Sequence, residues 1–308
     1  MKKLLLKLGL FSIICAAIIS FMLMQYGGYV DFFYNKFTTP KAVSMIFGDS
    51  RSFQGMQPHV MNTYLADKGY DLPVFNYSFT GAQAIAGPYY NESIMKKLDN
   101  SRSNGIFVIS VTPDFITSSS SYDNGKGEFR EAGQPPHNMK FVDVNPNFEY
   151  FYKNFNFFHF KSVFRKGAKT HKDGWLEESN LPKDNAVFEE WRQHQIDLFL
   201  KDREDFRISD FRVKSLDSLV KKLRKHGQVF FVRMPISKEF KDLENKYYPN
   251  FDRIIDSLSS SNSIHYFNYT LQGETTYKTY DGHHIDKYGG KLFTQSLCDS
   301  ILKVAAKN

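Results

Sequence analysis

Five short apolar runs, spaced along the chain with amphipathic stretches between them, constrain the fold most. They are Val43–Phe47, Val74–Ser78, Ile106–Val111, Val229–Met234 and Ile264–Tyr269. Each is β-branched or aromatic and too short for a buried helix, which reads as a strand covered on both faces. Helical spacing fits Pro58–Lys68, Ala84–Leu98, Ile208–His226, Lys238–Ser259 and Lys287–Ala306. In the third, Phe211, Leu216, Leu219, Val220 and Leu223 recur on one side and Gly227 follows as a stop. Strand–helix alternation predicts an α/β, doubly wound, parallel five-stranded sheet.

Two segments stand outside that alternation. The first is the N-terminus. Lys2, Lys3 and Lys7 precede a stretch without charge from Leu8 to Val30. Its apolar core, Leu8 to Met24, spans about 25 Å as a helix, enough to cross a hydrocarbon layer. Tyr26 and Tyr29 follow at the interfacial level. Lysines on one side only put the N-terminus in the cytoplasm and the rest of the chain outside. An uncleaved anchor over 1–30 is expected, with a cleaved signal peptide as its rival. Ala16-Ala17 lies inside the apolar run, so a small-residue cleavage site after it is lacking. Residues 31–41 read as a linker and 42–308 as the α/β domain.

The second is an insertion of about 115–207, between the third strand and the helix at Ile208. Ser118–Ser121 through Pro135-Pro136 reads as irregular loop. Phe148–Phe160 is dense in Phe and Tyr and reads mainly as the core of a small subdomain, with a sugar groove or membrane contact as rivals. Asn185–Glu204 reads as a helix carrying Phe188, Trp191, Leu198 and Phe199. Composition excludes other classes. Two cysteines, Cys15 and Cys298, make no disulfide framework. The +7 charge comes from 40 Lys+Arg against 33 Asp+Glu, and three of the seven lie in the N-terminal lysines. No long basic run remains, so nucleic acid is not an expected partner. Among nine histidines only His283-His284 are close, without ligand spacing, so no metal and no cofactor is expected.

In a doubly wound sheet, ligands bind beyond the carboxyl ends of the strands. The residues there are Gly48-Asp49-Ser50-Arg51, then Asn76 through Gly81, then Thr112-Pro113-Asp114, then Arg233, and finally Asp281-Gly282-His283-His284. A serine becomes a nucleophile when a histidine held by a carboxylate takes its proton. Ser50 at a strand-to-helix turn, with Asp281 and His284 three residues apart, supplies those parts. The amides of Ser50 and Gly81 are candidate oxyanion donors. Arg51 and Arg233 are candidate clamps for a substrate carboxylate or phosphate. Asp49 reads as structural, bonding its own turn.

These blocks resemble the GDSL/SGNH hydrolase superfamily. Gly48-Asp49-Ser50 is similar to its first block, Asn76 and Gly81 to its second, and Asp281-Gly282-His283-His284 to its Asp-x-x-His. Ile285, Asp286 and Gly289 look like the positions that follow. The resemblance implies the flavodoxin-like SGNH fold, Ser50 as nucleophile, His284 as base with His283 as rival, and Asp281 as its orienting partner. It implies Ser50 and Gly81 as oxyanion donors and Asn76 as a substrate-side residue. One block departs: Gly-x-Asn-Asp is replaced by Ser110-Val111-Thr112-Pro113-Asp114, with no asparagine to donate. In architecture the chain is similar to the membrane-anchored branch that moves acyl groups on envelope polymers. Alginate acetylation proteins and the D-alanyl transfer proteins of teichoic acid modification belong to it.

The expectation is a serine acyl esterase or O-acyltransferase acting on a cell-envelope or exported glycan. It would be a single-pass membrane protein with an extracytoplasmic domain, and a membrane-bound acyltransferase would be its partner. The alternative is a catalytically weak or inactive scaffold of the same fold, holding a surface polymer or that partner. The missing asparagine favours the scaffold; intact Ser50, His284 and Asp281 favour the enzyme.

Overall fold

The computed structural model describes residues 1–27, 31–154, 167–179, 181–201, 203–270, 272 and 276–306. Tyr29 and the 155–160 part of the aromatic run lie outside the described residues. In chain order the elements begin with α1 (Lys2–Tyr26), β1 (Ser44–Phe47), α2 (Ser50–Gly55), α3 (Pro58–Leu65), β2 (Val74–Asn76), α4 (Pro88–Lys97) and β3 (Gly105–Ser110). The insertion holds β4 (Thr117–Ser119), α5 (Phe148–Asn154), β5 (Ala168–Thr170), β6 (Leu176–Glu178), α6 (Asn185–Leu200) and β7 (Phe206–Ile208). Then come α7 (Asp210–Leu223), β8 (Gly227–Arg233), α8 (Lys238–Tyr247), α9 (Phe251–Ser261), β9 (His265–Asn268) and α10 (Lys287–Ala305).

The five expected strands form one parallel sheet in the order β2-β1-β3-β8-β9. This is the doubly wound order in which the chain reverses direction across the sheet between β1 and β3. Alternate residues of each strand face opposite layers, as a period of two requires. Met45, Phe47, Phe107, Ile109, Val229 and Phe231 join α4, α7, α8 and α9 in one core. Ile46, Ile106, Val108, Phe230 and Val232 join α3 and α10 in the other. The unbroken apolar character of these short runs is therefore explained by burial on both faces.

Three differences from the expected elements have local causes. The helix expected over Lys238–Ser259 is two helices, α8 and α9, parted at Tyr248-Pro249-Asn250. Proline offers no amide and disfavours helical backbone in the residue before it, so Tyr248 leaves the helix. The helix expected from Ala84 starts at Pro88, where proline suits the first turn. The short α2, not expected from periodicity, is set by Asp49 as its N-cap.

The insertion leaves and re-enters the sheet through the antiparallel pair of β4 and β7. Of its aromatic run, Tyr150 is buried against Tyr34 and Phe37, at ring distances of 5.5 and 4.9 Å. Tyr150 and Phe151 join the core while Phe148 and Tyr152 stay exposed, and none of the four lines the cavities at Ser50. At the other end of the chain, α1 has a mean hydropathy of 2.4 in its most apolar window, and none of that window is buried. It is long and apolar enough to cross a membrane.

Candidate active site

The site begins at the carboxyl end of β1. Gly48 has φ +141°, and a Cβ there would lie 2.6 Å from Ser110 Cβ and 2.9 Å from Ser110 O on the neighbouring strand. Both the backbone angle and the close approach require glycine. Asp49 then caps α2: its carboxylate accepts from the Arg51 amide and, at 3.0 Å, from the Thr112 hydroxyl. Asp49 is thus taken up by the turn, as expected. The turn lifts Ser50 to the first position of the helix.

Asp281, Gly282, His283 and His284 form a tight turn before α10. Asp281 Oδ1 accepts from the amides of His283 and His284, at 3.2 and 2.8 Å. Gly282 supports the turn with φ +89°. Asp281 Oδ2 lies 2.7 Å from His284 Nδ1, and His284 Nε2 lies 2.8 Å from Ser50 Oγ. An ionised carboxylate only accepts, so Nδ1 carries the proton and Nε2 is left as the acceptor for the Ser50 hydroxyl. Burial by itself would raise the Asp281 carboxyl; the adjacent His284 and its hydrogen bonds outweigh that and hold it well below the usual carboxylate range. Tyr280 stacks on the far side of the His284 ring at 5.7 Å and fixes its plane.

His283 occupies a different environment. Its ring stacks on Phe240 at 4.8 Å, its Nε2 has no hydrogen-bond partner, and burial followed by the charge of His284 pushes it well down. Of the two histidines, His284 is the one bonded to Ser50. Asp281, His283 and His284 also present ligand atoms within 4.8 Å of one another. Asp281 Oδ2 and His284 Nδ1 are bonded to each other and His284 Nε2 to Ser50, so a cation there would compete with those bonds.

Among the described residues, the amides of Ser50 and Gly81 have no hydrogen-bond acceptor. A Cβ at Gly81 would meet nothing within 4 Å, so the space beside its Cα is open. Where the asparagine of the family's third block would stand, Thr112 bonds Asp49 and Asp114 pairs with Arg203.

Two of the expected substrate-side residues are placed otherwise. Asn76 is fully buried; its amide donates to Ser52 O and Met56 O at 2.9 and 3.1 Å, and its oxygen accepts from the Ser78 amide. It clamps β2 to α2. Arg233 is also fully buried, 2.7 Å from Glu244 and 2.6 Å from Asp252. Neither lines a cavity at Ser50. Arg51 is held by the same Glu244 at 2.6 Å but keeps Nε and Nη1 without partners beside Ser50.

Ser50, Thr80 and His284 sit where two cavities meet. The larger, about 960 Å³, is walled by Trp191, Tyr280, Glu190, Gln193 and His194. The smaller, about 470 Å³, contains Gly81, Thr112, Arg51, Arg130 and Arg203. Trp191 packs edge-on to Tyr280 at 6.3 Å. The insertion therefore supplies much of both walls. Sequence reasoning picked Trp191 only as part of a helix face and missed Arg130 and Arg203. No motif marks them, because they reach Ser50 only through long-range packing of the insertion.

No family model and no curated protein matches the chain. Among solved structures it is similar to Est24, a carbohydrate acetylesterase from Sinorhizobium meliloti, at 8% identity and a TM-score of 0.40, over 85% of this chain and 98% of that one. It is similar to a lipase/acylhydrolase from Enterococcus faecalis at 10% identity and a TM-score of 0.38, over 84% and 94%. An aryl esterase from M. smegmatis gives 11% and 0.38, over 84% and 99%. Likenesses this remote carry no weight for activity.

Proposed function

We propose that the chain is a serine-dependent acyl esterase or O-acyltransferase of the GDSL/SGNH type, acting on a cell-envelope or exported glycan. The observation that supports this best is the continuous Asp281–His284–Ser50 chain of hydrogen bonds, 2.7 and 2.8 Å long, at the carboxyl end of a parallel sheet. Ser50 Oγ attacks the ester carbonyl while its proton passes to His284 Nε2. Asp281 stabilises the imidazolium formed. The carbonyl oxygen, now negative, is met by the Ser50 and Gly81 amides. His284 returns the proton to the leaving alcohol as the C–O bond breaks, leaving an acyl group on Ser50. Water or a sugar hydroxyl then gives its proton to His284 and takes the acyl group, and His284 passes that proton to Ser50 Oγ as the acyl–serine bond breaks.

The glycan reading is supported by the larger cavity, which is roomy, carries polar side chains such as Gln54, Glu190 and Gln193, and is faced by Trp191 and Tyr280; aromatic rings are suited to sugar faces. The localisation reading rests on α1: a single-pass anchor with its lysine-bearing end in the cytoplasm and the site outside. The test is labelling of the purified full chain with a fluorophosphonate. Labelling of wild type that is lost in Ser50→Ala and in His284→Ala is the expected result. A folded wild type that takes no label would favour the scaffold reading.

A further inference from the structure

We infer that the smaller cavity beside Ser50 binds an anionic substituent of the ester substrate, a carboxylate or phosphate, through Arg130. The inference rests on the serine reading above for its chemistry, and on the cavity alone for its charge. Arg130 comes from the insertion and lines the same 470 Å³ space as Ser50, Gly81 and His284. Its guanidinium lies 4.7 Å over the Phe206 ring, which covers one face. Among the described residues no carboxylate lies within ion-pair distance of it, and its buried Nε has no acceptor. Burial, before any neighbouring charge, opposes its protonated form.

The other charges around the cavity are committed. Asp114 is paired with Arg203, Asp49 with the Arg51 amide and Thr112, and Glu244 with both Arg51 and Arg233. Arg51, only 5% exposed, lines the space with Nε and Nη1 unpartnered. So Arg51 and Arg130 both line one small cavity, each with a buried N–H left without a partner, and among the described residues Arg130 has no ion pair of its own. Removing such donors from water costs free energy that a bidentate anion returns. A neutral acetyl group would leave them unsatisfied. Gly81 lines this cavity and not the larger one, so an anion here would sit on the side of the proposed oxyanion donor.

The test compares matched esters in the purified full chain. p-Nitrophenyl acetate is set against p-nitrophenyl succinate monoester, which carries the anion on the acyl side. An O-acetyl hexose is set against an O-acetyl uronate, which carries it on the alcohol side. One anionic ester should exceed its neutral counterpart in kcat/KM by about 10- to 100-fold, the worth of one charged hydrogen-bond pair. The pair that shows the preference identifies the side. That ratio should fall about tenfold or more in Arg130→Gln and be partly kept in Arg130→Lys, with most of the change in KM. Equal turnover of both members of each pair, or a ratio that Arg130→Gln does not move, would overturn the inference and leave the serine reading standing.

Calorimetry on Ser50→Ala with succinate and inorganic phosphate reads the cavity without turnover. Binding that weakens about tenfold on adding Arg130→Gln supports the anion site even if no ester is hydrolysed, which would sink only the serine reading. No binding of either anion overturns the inference.

Discussion

Replacing Asp281 by asparagine tests the proposed proton path at its least exposed member. Asp281 is 3% exposed and His284 7%, so water does not substitute for the lost carboxylate. Oδ1 is fixed by two backbone donors, the His283 and His284 amides. The asparagine oxygen must take that position, because an amide NH2 there would face two N–H groups. The new NH2 therefore replaces Oδ2, a donor 2.7 Å from His284 Nδ1. Nδ1 then has to be the bare nitrogen, and the proton moves to Nε2, where it points at Ser50 Oγ. A histidine in that tautomer cannot accept the serine proton. In serine triads generally this error costs about 10⁴ in kcat, and a loss of 10³ to 10⁴ here corresponds to about 4–5.5 kcal/mol. The assay is hydrolysis of p-nitrophenyl acetate at neutral pH, with the fold checked by thermal melting. Asp281→Asn within tenfold of wild type would refute the tautomer argument.

Three further outcomes follow from other parts of the molecule. Gly48→Ala must adopt φ +141° and place Cβ 2.6 Å from Ser110 Cβ, so urea denaturation should show a loss of about 2–4 kcal/mol, together with lower activity. Arg212 and Glu131 form an ion pair with neither side chain exposed; Glu131→Gln leaves the guanidinium without its counter-charge and should cost about 3 kcal/mol by the same measurement. His137 donates from Nε2 to Gln83 O, its Nδ1 has no partner, and burial pushes it down to about 4. Between pH 7 and 5 the unfolded chain takes up a proton that the folded one refuses. Stability from this group is therefore present above about pH 6.5 and lost as pH falls toward 4. The drop from pH 7 to 5 should be about 2 kcal/mol smaller in His137→Gln than in wild type, and equal drops would contradict this.

What could be read from the sequence was what depends on neighbours in the chain. The five strands carry their burial in consecutive apolar residues. Ser50, Asp281 and His284 are each placed by a local turn: the Asp49 cap for the serine, the Asp281–His284 amide bonds for the histidine. The break at Pro249 was equally local, and reading Lys238–Ser259 as one helix overlooked it. The rest depends on contacts across the chain. Arg51 and Arg233 look alike as candidate clamps until Glu244, on α8, is found between them. Asn76 stands at the carboxyl end of its strand, but Ser52 O and Met56 O consume its amide. The aromatic run drew attention as a groove lining or membrane contact as well as a small core. In its described part it packs Tyr150 against Tyr34, while the cavity walls come from α6 and from Arg130. Nothing in the local pattern of an insertion says which of its residues returns to the sheet edge.

In the proposed mechanism Ser50 carries the acyl group between two half-reactions. Rapid acid quench of the full chain with excess p-nitrophenyl acetate, followed by digestion and mass spectrometry, tests it directly. The mechanism predicts one acetyl group on the peptide containing Ser50, formed in a burst and missing from Ser50→Ala. Turnover with no acetylated peptide, or an acetyl group on any other residue that persists in Ser50→Ala, would contradict it.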